Sequence, residues 1–227
     1  MPDFDDIPDL PPTVTSARPV PDVGPWLRVH GSPLTRSEVQ QRKRLAVVIS
    51  VVWITVQFFA FGVRGDLSRL PLSYLFALSI APMSAGLLAV LLAVRGGSFG
   101  LGTRAALVSA LAVLGPISFM VSGFLMPVPY ENGEIGDLSF GAYCLNCTVA
   151  WALLPIVAAG LVLRGAFAAS SVWRSALLGA GCGLVAAGLF TLHCPVVGSW
   201  HIALAHGSAV LISALVGGVC LAWATRS

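Results

Sequence analysis

Three of the chain's four histidines and one of its five cysteines fall within fourteen residues, as His193-Cys194-Pro195, His201 and His206. A second thiol pair stands upstream as Cys144-Leu145-Asn146-Cys147. Thiolates and imidazoles together suit borderline and soft metals such as Zn2+ and Cu+. In an oxidising compartment, paired thiols also form disulfides. Cys144, Cys147 and Cys194 are therefore the candidate reactive thiols, and Cys144, Cys194, His193 and His201 the candidate metal ligands. Any pairing among the three thiols leaves one over, and a purely structural staple between Cys144 and Cys194 is the plain alternative. A C-x-x-C alone says little, but with His-Cys-Pro in a neighbouring loop it says more. His206 follows His201 by five residues, lies on a different face of a regular helix, and reads as a packed residue. Cys182 and Cys220 sit in apolar helical runs and read as packing groups.

The elements that must position these groups are membrane spans. The chain is 56% hydrophobic and 10% charged, with mean hydropathy +0.87, whereas a soluble domain carries about 25% charged residues. Six apolar stretches follow one another: Leu45–Val63, Pro71–Val94, Ala105–Met126, Val149–Leu163, Val172–Leu192 and Ile202–Ala222. About 20 residues of helix cross ~30 Å of hydrocarbon. The fourth stretch is short and must begin nearer Cys144 or Asn146 to span. Continuous apolar runs exclude the alternating pattern of a β-barrel. The fold class expected is all-α, a polytopic bundle of six transmembrane helices behind an extended N-terminal tail.

Basic residues orient the bundle. Arg36, Arg42, Lys43, Arg44, Arg95, Arg104, Arg164, Arg174 and Arg226 fall on the N-terminal side of a six-span topology, and only Arg64 and Arg69 on the other. By the positive-inside rule both termini are cytoplasmic. The loop from Pro127 to Thr148 and the His-Cys-Pro stretch then share the outer side. Trp151, Trp173, Trp200 and Trp223 read as anchors at span ends. Pro82, Pro116 and Pro155 interrupt the second, third and fourth spans and can kink them. Small residues from Gly179 to Gly188 and from Gly207 to Gly218 predict close packing of spans five and six.

Residues 1–44 form a separate region, with residues 45–227 as the membrane domain. Eight of the fifteen prolines lie before residue 34, with Asp3, Asp5, Asp6, Asp9 and Asp22 against Arg18 and Arg28. Such a segment is extended when alone. Its scattered apolar groups, Trp26 and Leu27 among them, suit folding onto a partner, although a solubilising leader has the same composition. Thr35-Arg36-Ser37-Glu38 has the form of a capping box and starts a helix that carries Arg42, Lys43 and Arg44 into the first span. The triplet is placed for phosphate headgroups. Trp26, Leu27, Arg36, Arg42, Lys43 and Arg44 are the candidate partner-binding set. The acidic, Pro-rich start is not that of a cleavable signal peptide.

The small net charge of +3 marks topology and not a nucleic-acid surface. There is no phosphate-cradling glycine loop, no G-x-S-x-G and no H-E-x-x-H. No acidic residue lies within the six apolar stretches, which argues against a proton-coupled transporter.

Six spans behind a short cytoplasmic tail, a cysteine just before span four, and His193-Cys194-Pro195 with His201 and His206 opening span six resemble the NrsF-type membrane anti-sigma factors. CarR-like six-span anti-sigma factors are similarly built. The resemblance implies a non-enzymatic, stress-responsive regulator whose tail holds an extracytoplasmic-function sigma factor at the membrane. It also implies sensing by an outward-facing cysteine pair, carried here by Cys144 and Cys194, with Cys147 an alternative for the first. No cofactor is required, and a soft metal ion is the candidate ligand. The zinc-binding H-x3-C-x2-C anti-sigma motif is absent from residues 1–44. The reading from a different class is a membrane thiol–disulfide oxidoreductase using Cys144 and Cys147 with Cys194 resolving, or a metal-handling protein using the same groups.

Overall fold

The computed structural model describes residues 35–95, 103–126, 138–162 and 172–221. The chain divides into two units, Met1–Pro33 and Leu34–Ser227, and the described residues all belong to the second. Trp26 and Leu27 of the expected partner-binding set lie outside the described residues, as does Trp223. Among the described residues there is no strand. Among the described residues six helices are long and apolar enough to cross a membrane: α1 Arg36–Phe61, α2 Leu72–Val94, α3 Thr103–Leu125, α4 Leu138–Val162, α5 Val172–His193 and α6 Ser199–Cys220.

Local chemistry sets where the helices start and stop. Thr35 Oγ1 accepts the backbone N–H of Glu38 at 3.3 Å, and the Glu38 carboxylate accepts the N–H of Thr35 at 2.7 Å. This is the capping box expected from the sequence, and it satisfies two of the donors that a helix N-terminus leaves orphaned. From there α1 runs unbroken to Phe61, so Arg42, Lys43 and Arg44 ride on the first span itself. Gly62 ends it at φ +65° and ψ −170°, a conformation essentially restricted to glycine. In α2 the turn Phe76–Ile80 is a π turn, placed just ahead of Pro82. Proline has no N–H to continue an α-helical ladder and presses on the carbonyl four residues back, so the wider turn precedes it. Pro116 and Pro155 lie within continuous helices α3 and α4.

α4 differs from its expected start. The helix already begins at Leu138, which places Cys144 and Cys147 inside a helix and not in a loop. Thr148 near its start does not break it, because its side chain bonds within it: the hydroxyl donates to the Cys144 carbonyl at 2.7 Å. The early start moves Trp151 away from a span end to mid-helix. There its ring lies against that of Trp53, tilted by 31° at 4.4 Å, and Trp53 Nε1 donates to the Trp151 carbonyl at 3.0 Å. Trp173 and Trp200 are exposed near helix starts, as anchors should be.

α5 is the axis of the bundle. In its most apolar window 83% of residues are buried, against 11% in α1. It packs on α6, α2, α3 and α4, most extensively on α6 and α2. Glycines make these contacts close. A Cβ on Gly86 would stand 2.6 Å from the Gly181 carbonyl oxygen, and one on Gly181 2.7 Å from that of Gly86. On the opposite side, a Cβ on Gly217 would stand 2.6 Å from the Ser175 oxygen and 2.8 Å from the Gly179 Cα. Small faces permit this approach in lipid, where dispersion replaces the hydrophobic drive. The close α5–α6 packing expected from the sequence is present, and the α2–α5 contact is a second one.

α1 rests mainly on α4. Between α1, α2, α4 and α5 lies a cavity of about 50 Å³ bordered by Trp53, Gln57, Trp151 and Cys182. The side chain of Gln57 is buried there, and its Nε2 has no hydrogen-bond partner.

Candidate functional site: a buried cysteine–histidine cluster

Cys194 follows the last residue of α5, and its N–H closes the final turn on the Phe190 carbonyl at 2.7 Å. Its thiol meets that of Cys144, from the second turn of α4, at 3.7 Å. The same sulfur lies 3.3 Å from His201 Nε2. His201 and His206 face each other with ring centroids 5.4 Å apart. One ligand atom from each of Cys144, Cys194, His201 and His206 lies within 4.8 Å of all the others, and all four residues are buried. Phe140 covers His201 at 5.8 Å, and Leu145, Val196 and Ala205 close an apolar shell.

His206 is where the sequence reading needs correction. Five residues advance an α-helix by well over a turn and separate the two histidines by a wide angle. The segment Ile202–His206 is instead a π turn, whose i→i+5 closure brings positions 201 and 206 onto one face. Thr148 Oγ1 stands 3.5 Å from His206 Nδ1, while Nε2 is buried without a partner. His193, by contrast, is not among the four. Its ring sits against Phe58, Phe61 and Phe190, with centroid distances of about 6 Å. Its place as the last residue of α5 turns it away from Cys194 and towards α1. Cys147 is partly buried and also outside the group, and Cys182 lies away from it beside the cavity.

The cluster is clasped by a residue that the sequence reading had used only for topology. Arg64 lies in the loop after α1, and its side chain is 2% exposed. Its guanidinium donates to the Cys194 carbonyl at 2.6 Å and the Pro195 carbonyl at 3.0 Å, and its backbone N–H to the Leu192 carbonyl at 3.0 Å. Carbonyls at a helix C-terminus lack intrahelical partners, and a cation there also meets the negative end of the helix dipole. Asp66 completes the arrangement by accepting two guanidinium hydrogen bonds at 2.6 and 2.7 Å. Burial weighs against the Arg64 charge, but the hydrogen bond and charge of Asp66 outweigh it and its pKa is raised. The hydrogen bond from Arg64 holds the Asp66 carboxyl below its ordinary value. A basic and an acidic residue two apart, on the side poorest in charge, were the available signal.

In the thiol pair, Cys194 is the better thiolate. The Cys144 thiol beside it favours its ionisation, burial opposes it, and His201 adds to the lowering. A lowered thiol pKa means reactivity towards metals and oxidants.

A protein-family model described as negative regulator of sigma F matches residues 28–226. The chain belongs to the NrsF family. NrsF membership, expected from the cysteine and His-Cys-Pro signature, rests on the helical region and the residues just before it, because the match starts at Arg28. The earlier Pro-rich segment, with Trp26 and Leu27, falls outside it. The comparisons with curated proteins and with solved structures found no match. The role that comes with the NrsF family is negative regulation of a sigma factor. Arg36 and Arg44 are exposed and Arg42 and Lys43 partly so, at the end of α1 remote from the cluster.

Proposed function

We propose that this chain is a non-enzymatic anti-sigma factor of a bacterial inner membrane, with both termini cytoplasmic. Its N-terminal region, as far as Arg44, holds the sigma factor away from polymerase. A thiol, metal or redox signal at the outer cluster releases it. The observation that carries this reading is the combination of NrsF membership with a Cys–His cluster at the end of the bundle opposite Thr35. Signal and output then lie on opposite faces of the membrane, as transmembrane regulation requires. Binding at one face can bias the other only if the bundle has two arrangements that differ in affinity for the ligand. Within the oxidoreductase alternative, the close thiol partner of Cys144 is Cys194 and not Cys147.

The experiment is affinity purification of the solubilised full-length chain, asking whether one sigma factor co-elutes. Cys144→Ser and Cys194→Ser should still retain the sigma factor while the target promoter no longer responds to inducer. Failure of any sigma factor to co-elute with the wild-type chain overturns the proposal. Full induction in the Cys144/Cys147/Cys194 triple variant removes the thiols from it and leaves the anti-sigma role standing.

A further inference from the structure

We propose that Cys144, Cys194, His201 and His206 are a preorganised four-ligand site for a single Zn2+-class ion. The site stands on the cluster's geometry; only its regulatory meaning rests on the anti-sigma reading. A tetrahedral ion with metal–sulfur bonds of about 2.3 Å and metal–nitrogen bonds of about 2.0–2.1 Å separates its ligands by roughly 3.8 Å for S···S and roughly 3.6 Å for S···N. The observed separations are 3.7 Å for Cys144 to Cys194 and 3.3 Å for Cys194 to His201. A disulfide instead needs about 2.05 Å. The two sulfurs are thus close enough to share an ion and too far apart to be bonded, and the set as a whole, within 4.8 Å, draws in slightly to close on it.

The remaining polar groups fit the same occupant. Buried polar atoms almost always have partners, yet His206 Nε2 has none. Thr148 takes its other nitrogen, which is how outer groups fix the ring of a metal-binding histidine. Charge also balances. Two thiols lose their protons to the medium as the divalent ion binds, giving two thiolates, two neutral imidazoles and a centre of zero net charge. A neutral centre suits the apolar shell of Phe140, Leu145 and Val196, where an unpaired charge would be costly. Two sulfurs and two nitrogens select Zn2+ over hard, oxygen-seeking cations. The ion would tie α4 to α6 and to the end of α5.

The test uses the full chain, purified in detergent and reduced without a chelator. Elemental analysis should find about one zinc per chain after Zn2+ addition and desalting. Co2+ in its place should give the intense visible bands of a tetrahedral ion with sulfur-to-metal charge transfer. His206→Ala and Cys144→Ser should lose both signals, while His193→Ala and Cys147→Ser keep them. Thr148→Val should weaken affinity roughly 10- to 100-fold. A reduced wild-type chain with native helical circular dichroism that retains no Zn2+ overturns the site. So does a His206→Ala variant with undiminished stoichiometry and an unchanged Co2+ spectrum. Sigma-factor co-elution, scored on the same preparations, separates the two ideas. Metal without the sigma factor refutes the anti-sigma reading alone, and the sigma factor without metal refutes the site alone.

Discussion

At the scale of single residues, Arg64 and Gln57 make opposite predictions. Arg64→Gln leaves the Cys194 and Pro195 carbonyls without their charged donor, and such hydrogen bonds are worth about 1.5–3 kcal/mol. The variant should unfold at lower temperature in a detergent thermal-shift assay. Arg64→Lys should recover only part of the loss, since an ammonium cannot fork between carbonyls and Asp66. The Asp66 carboxyl has a depressed pKa, so its contribution is fully present above the ordinary carboxylate value and is lost as pH falls through the depressed one. The deficit of Asp66→Asn should therefore persist at neutral pH and fade only below about pH 4. For Gln57, removing an unpartnered buried amide removes a desolvation cost of about 1–3 kcal/mol. Gln57→Leu should raise the unfolding temperature, and a lowered one would mean that the amide is satisfied in the membrane. The sequence carried the residue types of the cluster but not its membership. Cys144, Cys194 and His201 could be named, whereas choosing His206 over His193 depended on a π turn that helical counting does not contain.

Helices were legible where apolar length alone defines them. The start of α4 was not, because Cys144, Asn146 and Thr148 look like a loop until the Thr148 hydroxyl is seen to bond back to the Cys144 carbonyl within a helix. The partner of α5 was half legible. Its glycine-rich face announced a close neighbour and α6 answered it, but α2 meets α5 through a glycine, Gly86, that gives no pattern of its own. Gly181→Val should consequently be far more damaging than its position suggests. The added carbons meet the backbone of Gly86 and the side chain and amide of Val90, and overpacking costs about 1–3 kcal/mol or more. Reduced yield of monodisperse protein in detergent is the expected readout. Gly141→Ala, with nothing within 4 Å of the added carbon, should behave as wild type; equal yields for both would contradict the packing described.

For the whole molecule, topology and tail can be tested together. Reporters fused before Met1 or after Ser227 should be cytoplasmic and those in the 132–136 loop external, and an inaccessible loop would invert the orientation proposed. Deleting residues 1–34 should abolish repression of the target promoter; intact repression would move sigma-factor binding into the α1 start or the loops. The contrast between α5 and α1 has a mechanical consequence. α5 is buried around nearly its whole circumference, whereas α1 is gripped at Trp53 and beyond its far end by Arg64, the residue that also holds the Cys194 carbonyl. At about 1.5 Å per residue, the 26 residues of α1 make a rod of roughly 39 Å. The bundle thus pairs a wholly enclosed post with a lightly held outer rod, and one residue, Arg64, ties the end of that rod to the backbone that carries Cys194.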